Sequence, residues 1–175
     1  NETELYLIPC LNPDGYILNE ESYINGGNIF WRKNRRDNGD GTFGVDLNRN
    51  YGYEFGYDDI GSSSDPFAAV YRGPEGFSEP ETQASQAFCN AHEFQIALNY
   101  HTYGNLLIYP WGYSDIGTAD PAFPILANSM VAENEFFPGT ALETVGYFAN
   151  GNSDDWMYGE NVTKPPIFAM SPELG

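Results

Sequence analysis

Basic residues are scarce in this sequence. Its 175 residues contain seven Lys and Arg against 25 Asp and Glu, which gives a formal net charge of −18. Binding to nucleic acid needs a basic surface, so this charge balance excludes nucleic acid as an expected partner. An acidic, repulsive surface is typical of a well-solvated protein, and we expect a secreted or periplasmic location.

Cysteines and long hydrophobic runs are scarce as well. Two cysteines, Cys10 and Cys89, are too few for a disulfide framework or a metal knuckle. They form either one disulfide or two plain buried thiols, and the sequence favours the second alternative. No apolar run approaches the ~20 residues of a transmembrane helix, so no membrane span is expected. The hydrophobic fraction of 41% is sufficient for a folded core.

Strand-like and helix-like segments alternate along the chain. Apolar runs predict strands at residues 5–11, 95–101, 106–110 and 167–171. Capping signals predict helices at about residues 78–93, with Ser78 as the N-cap, at 120–136, and from Ser153 onward. This alternation predicts the α/β class, with a mixed central sheet and helices on both of its faces.

Two features indicate where function lies. Residues 26–65 are rich in Gly, Asn, Asp, Ser and Tyr, which predicts long ordered loops of the kind that usually carry function. Four of the seven cations lie within residues 31–36, and a fifth is Arg49. Because an Arg fork fits a carboxylate, this concentration of positive charge indicates recognition of an anionic ligand.

Three predicted strands end in polar residues: Asn12 within the turn signal Asn-Pro-Asp-Gly, His101 and Glu173. Ligands of open α/β sheets collect at such strand ends. Taken singly, each residue has an ordinary interpretation, since His101 can be a structural histidine and Glu173 a solvated loop acid. Arg32 and Arg49 can likewise be surface cations that offset an acidic protein.

Taken together and in order, the motifs closely resemble the zinc metallocarboxypeptidases, the family of carboxypeptidases A and B and their bacterial relatives. The Trp-Arg-Lys, Asp-Leu-Asn-Arg-Asn and His-Thr-Tyr blocks make the resemblance specific, and it covers nearly the whole chain. The matching motifs occupy residues 12–15, 31–35, 44–51, 77–82, 101–103, 107–112 and 147–156.

The resemblance implies a role for each matched residue. Asn48 and Arg49 match the pair that clamps the free C-terminal carboxylate of a peptide. Arg32 matches the arginine that polarises the scissile carbonyl and stabilises the oxyanion. His101 matches a zinc ligand, and Glu173 matches the acid that moves a proton from the attacking water to the leaving amine.

Three further residues match substrate-binding positions. Tyr147 matches the mobile tyrosine that closes over the substrate, and Tyr103 matches a neighbouring subsite residue. Asp154 matches the floor of the pocket for the departing side chain, where an Asp accompanies C-terminal Lys or Arg. Asp154 has a second interpretation, as a cap of the short helix after Ser153.

The chain departs from the family pattern at its ends. The family binds one zinc ion with two His and one Glu, and a His-x-x-Glu motif upstream of the Asn-Pro-Asp-Gly block supplies two of these ligands. No His precedes Asn12, and two residues follow Glu173 where the family continues. The resemblance therefore implies a partial catalytic domain over residues 1–175, incomplete at both ends and inactive alone. An exposed sheet edge is expected, through which copies could self-associate.

The implied function is zinc-dependent hydrolysis of the C-terminal peptide bond of peptides or proteins. Basic C-terminal residues are preferred if Asp154 is the pocket floor. Two alternatives remain open: a peptidase of the same fold that acts on cell-wall stem peptides, and a non-catalytic relative that only binds C-terminal carboxylates.

Overall fold

The computed structural model describes residues 3–175. The helices of this range are α1 (Pro13–Ile24), α2 (Pro80–Asn90), α3 (Ala122–Met130), α4 (Ala141–Thr144) and α5 (Ser153–Gly159), with a 3₁₀ turn at Leu47–Arg49. The strands are β1 (Ile96–Leu98), β2 (His101–Thr102), β3 (Leu106–Ile108), β4 (Phe137–Gly139) and β5 (Phe168–Leu174). Within residues 3–175, no helix has the length and apolarity needed to cross a membrane.

β5 is the centre of a mixed five-stranded sheet. β1 and β2 lie parallel to β5, whereas β3 lies antiparallel to it and pairs in parallel with β4 on its other side. The strand order is β1-β5-β3-β4, and β2 pairs with the carboxyl-terminal part of β5. β1 and β2 therefore both lie along the same side of β5, and β2 lies at its carboxyl end.

Two hydrophobic cores lie on opposite faces of β5, because successive side chains of a strand point to opposite faces. Ala169 belongs to the first core together with Cys89 of α2 and Trp156 of α5. Met170 belongs to the second core together with Phe123 of α3. The predicted α/β architecture, with a mixed sheet between helices, is confirmed.

Residues 5–11 form no strand, contrary to the prediction. Leu5 and Leu7 are about four-fifths exposed, and the aromatic ring of Tyr6 packs edge-on against Phe88 and Phe94. A strand needs a neighbour for its backbone N–H and C=O groups, and no segment within residues 3–175 pairs with this one. Residues 5–11 have the sequence pattern of a strand, but residues 3–175 provide no pairing partner for them.

The Asn-Pro-Asp-Gly sequence begins a helix, so its interpretation as a turn is wrong. Asn12 is the N-cap of α1, and its side-chain oxygen accepts the backbone N–H of Gly15 at 3.0 Å. Pro13 takes the first helical position, where its missing N–H costs nothing. Asn, Pro, Asp and Gly are favoured both in turns and at helix N-termini. Here the sequence that follows continues as a helix to Ile24.

Other predicted elements are present with shifted ends. α2 has Glu79 rather than Ser78 as its N-cap, and α3 ends at Met130, before the predicted residue 136. The residues that follow α3 form β4 and α4, neither of which was predicted. α5 is capped by Asn152, whose side-chain oxygen accepts the N–H of Asp155 at 2.9 Å.

The two cysteines are separate thiols. Cys10 is exposed and Cys89 is buried in the first core, and both are free. The alternative of a disulfide between them is therefore not realised, and the prediction that Cys10 is a buried strand residue is wrong.

Candidate active site

His101 and Glu173 lie side by side at the carboxyl end of the sheet. β2 runs parallel to β5, and the register of the pair places His101 directly opposite Glu173. Both residues are half-buried. Two predicted functional residues that are 72 positions apart in sequence thus meet because adjacent strands end together.

The 3₁₀ turn brings Asn48 to the same place. Asp46 caps this turn, and its Oδ1 accepts the backbone N–H of Asn48 at 3.2 Å. The amide nitrogen of Asn48 lies 3.4 Å from Nε2 of His101, and its amide oxygen accepts the backbone N–H of Ser153 at 3.0 Å. Asn48 therefore links the turn to both β2 and α5.

Arg49 is 3% exposed, and its guanidinium donates to two backbone carbonyl oxygens. Its Nε donates to the carbonyl of Gly61 at 2.7 Å, and one terminal nitrogen donates to the carbonyl of Asn48 at 2.7 Å. Burial lowers the pKa of the Arg49 guanidinium from its ordinary value, while the negative charge of Asp46 opposes this shift. The side chain is thus a fixed fork rather than a mobile surface cation.

Arg32 pairs with Asp46 on the other side of the turn. Its terminal nitrogen lies 2.9 Å from Oδ2 of Asp46, whose side chain is only 3% exposed. Arg32 contacts Oδ2 as an ion pair, and Oδ2 accepts no hydrogen bond from residues 3–175. The Arg32 side chain is 43% exposed, which leaves its guanidinium accessible from solvent.

Burial and the neighbouring charges shift the pKa values of His101 and Glu173. Burial lowers the pKa of the His101 imidazole; the Asp46 carboxylate opposes this, and the cations Arg32 and Arg49 add to it. Burial raises the pKa of the Glu173 carboxyl, and Arg32 opposes that shift. The result is a neutral imidazole beside a carboxyl group whose pKa is shifted toward neutrality, which suits metal ligation and proton transfer respectively.

Asp154 faces the sheet and does not cap α5. Its Oδ1 accepts from the amide of Asn99 at 2.6 Å, and its Oδ2 accepts from the hydroxyl of Ser171 at 2.7 Å. Burial raises the pKa of Asp154 to about 6; these two hydrogen bonds oppose the rise and the charge of Glu173 adds to it. The interpretation of Asp154 as the helix cap is wrong, because Asn152 has that role.

Tyr147 and Tyr103, the two tyrosines predicted to bind substrate, are both largely exposed to solvent. Tyr147 is 53% exposed, and it lies close enough to Arg49 for its phenol to affect the pKa of that guanidinium. Tyr103 is 80% exposed and makes no side-chain hydrogen bond within residues 3–175. The structure thus brings Tyr147 to the site and leaves Tyr103 apart from the polar contacts.

Four residues of this site were not predicted as functional. Asp46 lies inside the Asp-Leu-Asn-Arg-Asn block, so its place in that motif was an available signal. Ser171 precedes Glu173 by two positions on β5, so the two side chains lie on the same face of that strand. Asn99 lies between β1 and β2, two positions before His101. The fourth, Gly61, contributes only a backbone carbonyl, for which sequence offers no signal.

Residues 3–175 fit one part of a zinc site but not a complete one. His101 offers an imidazole whose pKa is lowered by burial, which suits a metal ligand. However, this range contains no group of three His, Cys, Asp or Glu side chains that could hold a metal ion.

Comparison with known proteins identifies relatives of this chain. The sequence profile described as zinc carboxypeptidase matches residues 1–175. A metallocarboxypeptidase A-like protein of Trichophyton verrucosum is 36% identical over 90% of this chain and 38% of its own length. Carboxypeptidase B of Astacus astacus is 34% identical over 99% of this chain and 57% of its own length.

The fold has the same relatives. The crystal structure of carboxypeptidase A from Helicoverpa armigera superimposes with a TM-score of 0.78 at 27% identity, covering 95% of this chain and 41% of that one. The chain thus spans between about two-fifths and three-fifths of the length of the relatives that it matches. With the profile matched along its whole length, the chain belongs to the zinc carboxypeptidase family.

Proposed function

We propose that the whole protein is a zinc-dependent carboxypeptidase that removes one residue from the C-terminus of peptides or proteins. The observation that carries the proposal is the buried Arg49 fork beside Asn48, within one cluster of charges with His101, Arg32 and Glu173. A free carboxylate is the ligand that such a fork fits best.

Each side chain has a task that its surroundings support. Asn48 and Arg49 bind and orient the terminal carboxylate of the substrate. Arg32, half-exposed toward solvent, is available to the oxygen of the scissile carbonyl, where negative charge develops during the reaction. Glu173, with its raised pKa, accepts a proton from the attacking water and passes it to the leaving amine.

Zinc is the implied cofactor. His101 supplies one ligand, and the bound ion would polarise the carbonyl and lower the pKa of the attacking water. We place the other two ligands outside residues 1–175, which makes these residues a partial catalytic domain that is inactive alone.

Asp154 supports a preference for basic C-terminal residues. Its buried carboxylate is met by two neutral donors, so a Lys or Arg side chain would supply the cation that this acid otherwise lacks. A cell-wall peptide with a charged diamino acid would satisfy the same carboxylate, and it is the substrate of the second candidate function.

The acidic composition supports a secreted or periplasmic location.

The test is a peptide panel incubated with the full-length protein and zinc. Peptides that end in Lys, Arg, Phe or a diamino acid are compared with their C-terminal amides, and released residues are quantified by mass spectrometry. We expect release of single residues from the free acids only, and loss of release in Glu173→Gln. A protein that binds the free acids without cleaving them would be the non-catalytic relative.

The open edge of β1 supports self-association. β1 is an end strand of the sheet within residues 3–175, and its Ile96 side chain is 49% exposed. An uncovered edge pairs readily with another strand. Sedimentation of the 175-residue chain tests this: Ile96→Lys, which places a charge on the edge, should shift any dimer toward monomer.

A further inference from the structure

The loop that carries the Gly61 carbonyl is bonded to the buried side-chain amide of Asn150. Gly61 lies in the loop of residues 58–62, and its carbonyl oxygen is the acceptor for Nε of Arg49. Asn150, which is 0% exposed, lies directly against Gly61, since a Cβ at Gly61 would be 2.7 Å from its amide nitrogen. The position of the Arg49 fork therefore depends on what fixes this loop.

Asn150 uses its whole amide group on the loop. Its amide nitrogen donates to Oδ1 of Asp58 at 2.7 Å and to the backbone carbonyl of Asp58 at 3.2 Å, and its amide oxygen accepts from the hydroxyl of Ser62. Oδ1 of Asp58 also accepts the backbone N–H of Gly61 at 2.9 Å. Both flanks of the Gly61 carbonyl are thus bonded to Asn150, directly or through Asp58.

The same asparagine lies three residues after Tyr147, in the segment that leads to α5. Its neighbour Gly151 has a φ of +65°, and a Cβ there would lie 2.5 Å from the carbonyl oxygen of Arg49. The carbonyl of Gly151 accepts the backbone N–H of Tyr51 at 2.9 Å. The segment with Tyr147 and the backbone of Arg49 are therefore in direct contact, with Asn150 at their junction.

We propose that Asn150 is a positioning residue that holds the Arg49 fork in the orientation needed to bind a substrate carboxylate. It acts through Asp58 and the Gly61 carbonyl and does not itself contact substrate. The inference rests on the proposed function for the identity of the ligand. The alternative is a purely structural role, in which Asn150 satisfies a buried loop without affecting Arg49.

Calorimetry separates the two roles without requiring catalysis. A peptide that ends in Lys and its C-terminal amide are titrated into full-length Glu173→Gln protein, with and without Asn150→Ala. We expect Asn150→Ala to weaken binding of the free acid about tenfold, the effect of one misplaced charge-assisted hydrogen bond, and to change binding of the amide less than twofold. Asn128→Ala, an exposed asparagine on α3, is the control and should change neither value.

A second pair of variants covers the case that Asn150→Ala does not fold. Asp58→Asn keeps an acceptor oxygen for Gly61 and should bind the free acid as the parent does, whereas Asp58→Ala removes it and should show the tenfold loss. In the catalytically intact protein the same loss should appear in KM, with kcat within threefold. Equal weakening of acid and amide, or unchanged binding of the acid in Asn150→Ala and Asp58→Ala, overturns the proposal. Absence of peptide cleavage by the parent protein, with these binding effects intact, would refute only the proposed catalysis.

Discussion

The buried carboxylate of Asp154 is held by two neutral donors, from Asn99 and Ser171, and its pKa is raised to about 6 by burial. Below this pKa the group is largely neutral and suits an apolar side chain; above it the group is charged and suits a cation. We expect the ratio of kcat/KM for C-terminal Lys over Leu to rise between pH 5 and 8. Asp154→Ala should reduce the ratio and flatten its pH dependence, whereas Asp115→Ala, an exposed acid, should not. A parent protein that prefers Phe tenfold at pH 8 would show that Asp154 is not the pocket floor.

Arg49 and Arg32 should differ in the kinetic constant that they affect. Arg49 is buried, and it is the proposed contact to the substrate carboxylate, so Arg49→Ala should lower kcat/KM for free acids by about tenfold or more. In the proposed mechanism Arg32 meets charge that develops in the transition state, so Arg32→Ala should lower mainly kcat. Arg35→Ala serves as the control, because that guanidinium stacks on Trp31 and Phe43. Steady-state kinetics that give the same effect on KM alone for both arginines would contradict these roles.

At the scale of elements, α5 is tied to the loop after β3 through Asp155. Its carboxylate accepts the backbone N–H groups of Gly112 and Tyr113 and the amide of Asn152. Burial nevertheless raises the pKa of Asp155 to about 7; these hydrogen bonds oppose the rise. The native state therefore holds a proton that the unfolded chain, with an ordinary Asp pKa, releases between about pH 4 and 7.

Because of this proton, Asp155 makes the free energy of unfolding depend on pH. Because the native state binds more protons over that interval, the stabilisation from Asp155 is complete at low pH and is lost as pH rises toward 7. We expect the free energy of unfolding to fall less steeply with pH in Asp155→Asn than in the parent, by at most about 1.4 kcal/mol per pH unit. Urea denaturation at several pH values measures the slope, and Asp115→Asn should leave it unchanged. Parallel slopes in parent and Asp155→Asn would rule out the raised pKa.

Elements with a complete local signal could be predicted from sequence. α2 was predicted by an early Pro and first-turn acid, and β3 and β5 by their apolar runs, because each signal lies within the element. β4 could not be predicted, since Phe-Pro-Gly has poor strand propensity. Pro138 is tolerated there because β4 is an end strand of the sheet within residues 3–175. The strand predicted at residues 5–11 is wrong for the opposite reason: these residues have strand propensity, but no segment of residues 3–175 pairs with them.

The residues of the candidate site likewise fall into those that the sequence could identify and those that it could not. His101, Glu173, Arg32 and Arg49 could be chosen from sequence because the order of their motifs resembles a family. The residues that hold them could not, since the contact of Asn150 with Asp58 joins positions 92 apart and depends on how two loops fold together. Their roles in catalysis stay predictions.

At the scale of the whole molecule, the proposal that residues 1–175 hold one zinc ligand and lack the other two predicts the metal content of this chain. A stable zinc site needs about three protein ligands, and within residues 3–175 His101 has no two companions that could complete one. We expect the 175-residue chain, dialysed against zinc, to retain well under one ion per chain by mass spectrometry and to release no residues from peptides. His101→Ala should not change that content in the short chain, but it should remove zinc from the full-length protein, since it deletes one of the three proposed ligands. His92→Ala is the control in both, because His92 bonds to the carbonyl of Phe88 and stacks on Phe94, away from the site. One zinc bound per short chain and lost with His101→Ala, together with peptidase activity, would show that the ligand set is complete within these residues.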